Sequence, residues 1–583
     1  MTSGKKFIAR VQPLLLCLMV ILLAACGSNG SSSGPTSANP TPAPPDKQVF
    51  VYPEYGIPDF GTLDPALVQS LPDYTAISML STGLVGLDAH LNVIGQMASS
   101  YQVASDGVTW TFKLKPNLKF SDGTQLTSAD IAYSMDRALQ PATKSAVSGY
   151  YMRYIKDAVK LNNGQVKTII GDSILTPDPN TVVVIASQKI PFFLDTLVYP
   201  TSFVVEKSLV TKYGTSWTDH LTEGGSTGPF KVVEYTHNKQ LVVVPNTNYY
   251  GRIPKIKVIL PFYKVSDTTY QAYKVGQVDW TTIPSADYQQ AKTGSDFHRV
   301  SQLTIFWYTM NYLAKPFDNI HIRQAFELAL NKDEIVKTAY RSEYLPTNHF
   351  VPAGMYGYDS NLTGPAGATT AGDQNKAKQL FQQGLQEEGY TSVSQLPHIT
   401  LTYASSGSQD YRNEVSIDVQ SWQSVLGVTV SVNDIDFNKL ITEQQSTIGN
   451  PKGLQFYAGP GWVADYPDPQ DWLTLQFDKG ASYNTMNYGQ NNVSNAAQQQ
   501  AIQKQLEQAD LMFDKNARLQ AYNSAEQQLV NDVAWLPIYQ FVLNYLLKPC
   551  VVGFTLNGQQ LTSPDDWANV FISTQTPCGS ATT

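Results

Sequence analysis

The residues best suited to chemistry lie in one stretch, GWVADYPDP at 461–469. It places two carboxylates, Asp465 and Asp468, close to Trp462 and Tyr466, and its prolines cannot continue a β-ladder. Asp465 is therefore predicted where a strand ends and the chain turns, a common position for a functional side chain. A carboxylate beside an aromatic wall suits a ligand ammonium group, because charge pairing and ring stacking act together.

Both aspartates also have a plainer interpretation, as turn or helix-cap residues ahead of QDWL at 470–473. Local evidence favours the cap for Asp468 and does not separate the two interpretations for Asp465. Asp471 completes a spacing of three that suggests a cation site, but two prolines intervene and no ligand-rich loop follows. The rest of the chain must therefore decide what Asp465 does.

Other motifs give little support for catalysis or for a bound cofactor. GGSTG at 224–228 matches the G-x-S-x-G pattern by letters, but PFKVV at 229–233 predicts a strand where that motif requires a helix. The seven histidines are scattered without the spacing of a zinc site, and the chain has no P-loop. We therefore expect a binding protein without metal or cofactor. An exported hydrolase is the alternative, and it needs a nucleophile–base pair that the sequence does not display.

The first 25 residues predict an export signal. Two lysines and an arginine precede an apolar run at 11–23, which is too short for a comfortable membrane span. The run ends in LAAC at 23–26, which resembles the bacterial lipoprotein box, cleaved before the cysteine. That resemblance implies a diacylglycerol on Cys26, and a plain signal peptide with an incidental cysteine is the alternative.

Charge and cysteine content describe the mature chain. Removal of residues 1–25 takes away three basic groups and no acidic one, which leaves 37 basic and 48 acidic residues and a net charge of −11. This balance disfavours nucleic acid as a partner.

Residues 26–47, rich in Ser, Gly, Pro and Thr, predict a flexible tether. Cys550 and Cys578 then remain, and an exported setting allows either one disulfide between them or two free thiols.

The body is too long for one core, since 583 residues predict two or more domains. WTFKLK at 110–115 alternates like a half-buried strand, and Thr127 with Asp130 predicts a capped helix start. ITLTY at 399–403 and VTVSV at 428–432 flank a segment with helical spacing, which predicts a βαβ unit and a parallel sheet. The predicted fold class is mixed α/β in two lobes.

Motifs spread along the chain resemble, in the same order, those of the family-5 solute-binding proteins of ABC importers, which include oligopeptide- and dipeptide-binding proteins. The resemblance covers residues 48–572, almost the whole mature chain. Any one motif is weak, but the set in order is specific. The motifs are TLDP at 62–65, WTFKL at 110–114 with FSDG at 120–123, TGPF at 227–230, PFDN at 316–319 with RQAF at 323–326, GWVADYPDP at 461–469 and PIY at 537–539.

The resemblance implies a two-lobed, periplasmic-binding-protein-like α/β fold of type II, with an extra domain, a hinge between the lobes and the ligand in the cleft. Lobe I is expected to be discontinuous in sequence. The expected boundaries are 1–25 for the signal peptide, 26–47 for the lipid-anchored tether, 48–78 with 185–304 and 541–575 for lobe I, 79–184 for the extra domain, and 305–540 for lobe II.

The resemblance also implies a binding site. In peptide-binding members, the aspartate of a W-x-x-D-Y motif holds the α-ammonium group of the peptide. The matching residue is Asp465, with Trp462 and Tyr466 in register. By the same resemblance, Gly461, Trp462 and Val463 are expected to pair with the peptide main chain as an added strand.

The remaining site candidates are aromatic. Trp307 and Tyr308 could wall the cleft, and Tyr150 and Tyr151 lie where the extra domain could reach the ligand, but packing in a core is at least as common for such aromatic pairs. Some enteric relatives carry an arginine shortly before the Gly-Trp pair, which can meet the peptide C-terminus. Residues 457–460 hold no basic group, so the resemblance does not imply one fixed peptide length.

The function expected from the resemblance is that of a monomeric substrate-binding lipoprotein on the outer face of the cytoplasmic membrane. It would capture oligopeptides or dipeptides and deliver them to the permease and ATPase subunits of an ABC importer by hinge closure. A non-peptide solute, such as an oligosaccharide or a metal complex, is the alternative, because the many Tyr and Trp residues also suit sugar stacking.

Overall fold

The computed structural model describes residues 40–459 and 461–574. The predicted signal peptide, the lipidation candidate Cys26 and the C-terminal Cys578 lie outside these ranges. Cys550 is fully buried and disulfide-bonded, and its pairing with Cys578 stays a prediction. Over the described residues, the longest apolar helices fall short of what a membrane crossing requires.

The strands are short except for two, β13 and β19. In chain order they are β1 (Val49–Val51), β2 (Glu54–Tyr55), β3 (Val85–Leu87), β4 (Val93–Gly95), β5 (Ala98–Val103), β6 (Thr109–Leu114), β7 (Ile174–Asp178), β8 (Thr181–Ile185), β9 (Phe230–Thr236), β10 (Gln240–Pro245), β11 (Lys257–Tyr263), β12 (Trp280–Thr282), β13 (Phe297–Met310), β14 (Leu345–Pro346), β15 (Ile399–Tyr403), β16 (Val430–Asp434), β17 (Phe456–Ala458), β18 (Trp462–Val463), β19 (Leu536–Leu547), β20 (Val551–Val552) and β21 (Phe571–Ile572).

The helices lie mainly in the second half of the chain. They are α1 (Leu71–Leu80), α2 (Ser128–Leu139), α3 (Ser148–Tyr151), α4 (Ala158–Asn162), α5 (Phe193–Thr196), α6 (Lys207–Tyr213), α7 (Ser266–Lys274), α8 (Tyr288–Ala291), α9 (Ile320–Leu328), α10 (Lys332–Tyr340), α11 (Gln374–Glu387), α12 (Gln409–Leu426), α13 (Phe437–Gln445), α14 (Pro469–Trp472), α15 (Thr474–Phe477), α16 (Ala496–Ala509) and α17 (Lys515–Asn531).

Lobe I is built on the sheet β1-β11-β10-β9. Its core buries Phe50 of β1 and Phe230 of β9 together with Trp217 and Trp567. The end of the predicted tether packs against this lobe, because the Ala43 amide donates to the Ile572 carbonyl at 2.7 Å. Residues 41–43 therefore lie against β21 rather than free of the lobe.

A second antiparallel sheet, β5-β6-β8-β7, lies in the region expected to form the extra domain. The predicted helix start is confirmed, since the Thr127 amide donates to the Asp130 carboxylate at 2.8 Å in a capping box before α2. Ile131, Met135 and Leu139 of α2 are fully buried, as their spacing predicts.

A third large sheet, β12-β19-β13-β17-β15-β16, runs from β12 in the region expected to form lobe I into the region expected to form lobe II. Strands β15 and β16 are parallel, with Leu401 opposite Val432, and α12 lies between them in the chain, which confirms the predicted βαβ unit. Trp422 of α12 is fully buried, and its indole N–H donates to the Phe326 carbonyl at 2.9 Å.

The two long strands β13 and β19 connect the lobes. They pair from Phe297 opposite Leu546, beside β12, to Tyr308 opposite Leu536 within lobe II. Their register shifts between Ser301 and Ile305, and such irregularities bend a strand pair. The paired strands thus form a connection about which one lobe can rotate against the other.

Candidate functional site

Strand β18 lies where lobe II meets the lobe-connecting strands. Val463 is opposite Thr304 of β13, and Trp462 is opposite Ile305. Among the described residues, no strand pairs with the other edge of β18, so its remaining backbone groups are free to bind an extended ligand. Val463 is 57% exposed, which leaves this edge accessible.

Two glycines shape the turn into β18. Gly461 has a φ of +77° with open space around it, a left-handed conformation that a side chain would strain. Gly459 lies under the Trp307 ring, and a β-carbon built there would come within 2.3 Å of that ring. The GxG spacing therefore serves geometry: one glycine permits the turn and the other permits close packing.

Asp465 follows β18 and is half-buried. Its carboxylate accepts a 2.7 Å hydrogen bond from the Tyr151 hydroxyl, which reaches it from α3. Burial raises the pKa of Asp465 to about 6, and the hydrogen bond from Tyr151 opposes that rise. None of the ion pairs between described residues involves Asp465. The carboxylate is thus held at the junction without a protein counter-charge, which is the property that an ammonium site needs.

Asp471 supports this site from beneath. It is fully buried, and its carboxyl group accepts hydrogen bonds from the Trp462 indole at 2.9 Å and from the Asp465 amide at 3.1 Å. Burial, with a further contribution from Asp465, raises the pKa of Asp471 well above its usual range. Asp471 therefore orients the two binding candidates. The structure shows no cluster of three potential metal ligands within the described ranges.

Asp468 has a structural role. Its side chain caps α14 by accepting from the Gln470 amide at 2.9 Å, which confirms the helix-cap interpretation. The same carboxylate forms a buried two-pronged ion pair with Arg518, with both contacts at 2.6 Å.

The structure separates the predicted aromatic residues. Trp307 stacks on Trp535 with centroids 3.9 Å apart and lies on the same face of the sheet as Trp462. Tyr308 points to the other face, because neighbouring residues of a strand alternate. It is fully buried there, with its hydroxyl within hydrogen-bond distance of Glu414 at 2.9 Å and Asp418 at 2.8 Å, so it does not line the cleft.

Tyr466 and Tyr150 lie close to Asp465 without binding it in the same way as Tyr151. Tyr466 is buried, donates to Gln470 and stacks on Phe192 with centroids 6.2 Å apart. Tyr150 packs edge-on against Tyr151, and its hydroxyl, like that of Tyr151, opposes the rise in the pKa of Asp465.

The sequence named Tyr151 and Asp471 but did not indicate their supporting roles. Tyr151 was as plausible as Tyr150, because a short helix gives no signal for which of two adjacent tyrosines faces the site. Asp471 carries the i+6 spacing from Asp465, but its role depends on the fold of the turn between them. Tyr483 and Trp535 reach the site from distant segments, which no local pattern indicates.

Two lobes joined by a pair of long strands, with an unpaired carboxylate and aromatic walls at their junction, define a hinged ligand-binding protein. Comparison with known proteins identifies its family. Residues 92–484 match the bacterial extracellular solute-binding proteins, family 5 Middle. The chain belongs to this family, whose members are transport-associated binding proteins rather than enzymes.

Relatives along the whole chain agree with this assignment. The oligopeptide-binding protein OppA of Bacillus subtilis (strain 168) is 25% identical over 556 residues, covering 93% of this chain and 96% of the relative. The periplasmic oligopeptide-binding protein OppA of Escherichia coli (strain K12) is 27% identical over 507 residues, covering 85% and 88%.

Solved structures show the same fold. The unliganded open form of MppA, a periplasmic murein tripeptide binding protein, superposes with a TM-score of 0.74 at 25% identity, covering 91% of this chain and 98% of that chain. OppA of Haemophilus influenzae in complex with RPPGFSPFR gives a TM-score of 0.64 at 21% identity, covering 91% and 99%. The two-lobed solute-binding fold expected from the sequence is thereby confirmed.

Proposed function

We propose that the chain is the substrate-binding lipoprotein of an ABC importer and that it captures oligopeptides or dipeptides by their amino end and main chain. The observation that carries this proposal is Asp465, a carboxylate without a described counter-charge at the end of a strand with an open edge. The α-ammonium group would bind the Asp465 carboxylate. The peptide main chain would pair with residues 461–463 as an added strand.

These amino-end and main-chain contacts are open to every peptide, since every peptide presents the same backbone groups. An enclosed ammonium–carboxylate pair is worth roughly 2–5 kcal/mol when one partner is removed, and much of this is the cost of the charge left unpaired. Tyr151 would stay bonded to the carboxylate, because burial and the Asp465 charge raise its pKa and keep the hydroxyl protonated. The names of the relatives, which describe oligopeptide binding, favour the same ligand class.

Other parts of the proposal depend on the sequence. The lipid on Cys26 would hold the protein outside the cytoplasmic membrane, and Cys550 would pair with Cys578. Closure about β13 and β19 would enclose the ligand and present the closed form to the permease and its ATPase.

The test is a thermodynamic cycle between the protein and the ligand. Calorimetry would measure binding of trialanine with a free and with an acetylated amino end to the wild type and to Asp465→Asn. Acetylation should weaken binding strongly for the wild type and only slightly for the variant, because each change removes one partner of the same pair. Asp267→Asn, at an exposed position on α7, is the matched control and should behave like the wild type.

Two results would contradict the proposal. Equal losses on acetylation in the wild type and in Asp465→Asn would show that the ammonium group binds elsewhere. Failure of the wild type to bind any small peptide would favour another solute.

A further inference from the structure

Two cavities open on opposite faces of the sheet at β18. The first, which we call the small pocket, has a volume of about 60 Å³ and includes Trp307 and Trp462 in its wall. The second, the broad pocket, has a volume of about 350 Å³ and includes Phe306 and Val463. Because neighbouring strand residues point to opposite faces, each pocket receives the alternate side chains of the same strands.

The small pocket has a tryptophan floor and one unused donor. Trp307 and Trp535 stack at 3.9 Å, and Trp462 meets Tyr483 edge-on at 4.7 Å. Gln476 is 2% exposed, and its side-chain NH₂ group lacks an acceptor among the described residues. A buried donor without a partner costs about 1–3 kcal/mol, so a ligand group that accepts a hydrogen bond would stabilise this pocket.

Size and charge restrict what the small pocket can hold. A volume of about 60 Å³ is roughly a sixth of the 350 Å³ of the broad pocket, so the small pocket admits a short side chain and the broad pocket a large one. None of the described residues that line it is charged. Asp465 and Asp471 act electrostatically on its wall residue Tyr483, which disfavours an added carboxylate. A short, neutral side chain ending in an amide or hydroxyl fits these conditions.

The broad pocket is lined by aromatic rings and open at its rim. Phe306 stacks on Tyr539 with centroids 5.1 Å apart, and Tyr344 packs against Phe541 at 4.9 Å. Phe437 at the rim is 44% exposed. A large aromatic side chain should bind this surface most tightly, since ring contacts add to the burial of apolar area.

The register of an added strand assigns consecutive ligand residues to the two pockets. In an antiparallel pair, residues directly opposite one another share a face of the sheet. A ligand with its amino end at Asp465 and antiparallel to β18 places its second residue opposite Trp462, on the small-pocket face. Its third residue lies opposite Gly461, on the broad-pocket face.

We propose, on the basis of the proposed peptide-binding function, that this cleft selects peptides with a short amide or hydroxyl side chain at the second residue and a large aromatic side chain at the third. Gln476 is the specificity-determining donor for the second residue. The rings around Phe306 determine the preference at the third.

Two tetrapeptides of identical composition test this preference. Calorimetry would compare Ala-Asn-Phe-Ala with Ala-Phe-Asn-Ala on the wild-type protein. The first should bind about tenfold tighter or more, because the second leaves the Gln476 donor unpaired and directs a ring into a pocket too small for it. Equal affinities, or tighter binding of Ala-Phe-Asn-Ala, would overturn the inference.

A substitution of Gln476 tests the contribution of its side-chain donor alone. In Gln476→Leu, the advantage of Ala-Asn-Phe-Ala over Ala-Leu-Phe-Ala should fall at least tenfold relative to the wild type. Gln386→Leu, at an exposed position on α11, should keep the wild-type advantage. A full advantage retained in Gln476→Leu would assign the preference to another residue and overturn the role of Gln476.

The failure of this inference differs from failure of the proposed function. If both tetrapeptides bind equally to the wild type and neither binds to Asp465→Asn, the amino-end anchor holds and the pocket preference is wrong. If neither tetrapeptide binds to the wild type, the proposed function fails and the preference falls with it.

Discussion

Asp465 and Asp471 divide two tasks that a single carboxylate could not perform. Asp465 keeps part of its carboxylate accessible at the lobe junction and bonds to Tyr151. Asp471 is enclosed, and one of its oxygens accepts hydrogen bonds from the Trp462 indole and the Asp465 amide. The accessible group can bind a ligand because the enclosed group fixes its position.

Substitution of Asp471 tests this supporting role. Asp471→Asn should leave the melting temperature and peptide affinity close to those of the wild type, because the amide keeps an oxygen that can accept from both donors and burial disfavours a charge at this position. Asp471→Leu removes the acceptor for both donors, and each buried donor left unpaired costs about 1–3 kcal/mol. Differential scanning fluorimetry and calorimetry would measure both variants, and equal losses in Asn and Leu would show that Asp471 acts as a charge.

Peptide affinity should depend on pH through Asp465. Its pKa in the free protein is about 6, and only the carboxylate form pairs with an ammonium group. Affinity should therefore be greatest near pH 7 and should fall below pH 6, approaching about tenfold per pH unit. The α-amino group of a peptide titrates at about pH 7.7–8.0, so it is protonated across this fall and loses its proton only at higher pH. Calorimetry between pH 7.5 and 4.5 would measure the fall, and a flat profile would exclude Asp465 as the anchor.

The sequence predicted part of this site for a physical reason. The chemistry of Asp465 and the turn around it are local, so they follow from residue types and prolines. The orientation of Tyr151 rather than Tyr150, and the convergence of Gln476 and Trp535 on one pocket, depend on distant segments. Local periodicity in the sequence does not indicate which distant residues come into contact.

At the scale of elements, the segment from β17 to β18 depends on the conformation of Gly461. The turn between these strands lets both pair with β13, β17 at Tyr308 and β18 at Ile305. A side chain at Gly461 would meet no neighbouring atom, so its cost comes from the backbone conformation alone.

A pair of glycine variants separates stability from function at this turn. Gly461→Ala should cost about 1 kcal/mol of folding free energy because its φ is +77°, and it should also weaken peptide binding by shifting β18. Gly389→Ala, at a φ of +74° with open space around it, should cost the same stability and leave binding unchanged. Chemical denaturation and calorimetry would measure both, and unchanged binding in Gly461→Ala would show that the turn does not position the ligand.

Elements with strong periodicity were predicted well, and elements fixed by pairing were not. The α2 start and the β15–α12–β16 unit follow from capping and alternation in the local sequence. The two-residue strand β18 and the pairing of β13 with β19 across more than 200 residues are set by tertiary contacts. Their lengths and register shifts therefore appear only in the structure.

At the scale of the whole molecule, the protein holds many carboxyl groups for which desolvation outweighs the effect of any nearby basic group. Burial raises their pKa values to about 6 for Asp279 and Asp465, about 7 for Glu414, Asp510 and Glu526, and about 8 for Glu54 and Asp195. In the unfolded chain the same groups titrate near pH 4. As the pH falls from 8 to 5, the folded protein therefore binds protons that the unfolded chain does not yet bind.

The sign of the resulting pH dependence follows from linkage. Where the folded state binds more protons than the unfolded state, stability rises as the pH falls. The melting temperature of the ligand-free protein should therefore increase from pH 8 to pH 5. Two histidines oppose this below pH 6.5, since burial lowers the pKa of His349 to about 4 and also lowers the pKa of His298, but the seven carboxyl groups act in the other direction.

Stability without ligand and affinity for ligand should thus move in opposite directions between pH 7 and pH 5. Thermal melts by circular dichroism and calorimetric titrations on the same samples would show both trends. Asp465→Asn should lose the binding trend and keep most of the stability trend, because the other buried carboxyl groups remain. A melting temperature that falls steadily from pH 8 to pH 5 would contradict the stability prediction. It would show that these carboxyl groups do not have higher pKa values in the folded protein than in the unfolded chain. A binding trend that survives Asp465→Asn would place the titrating anchor on another residue.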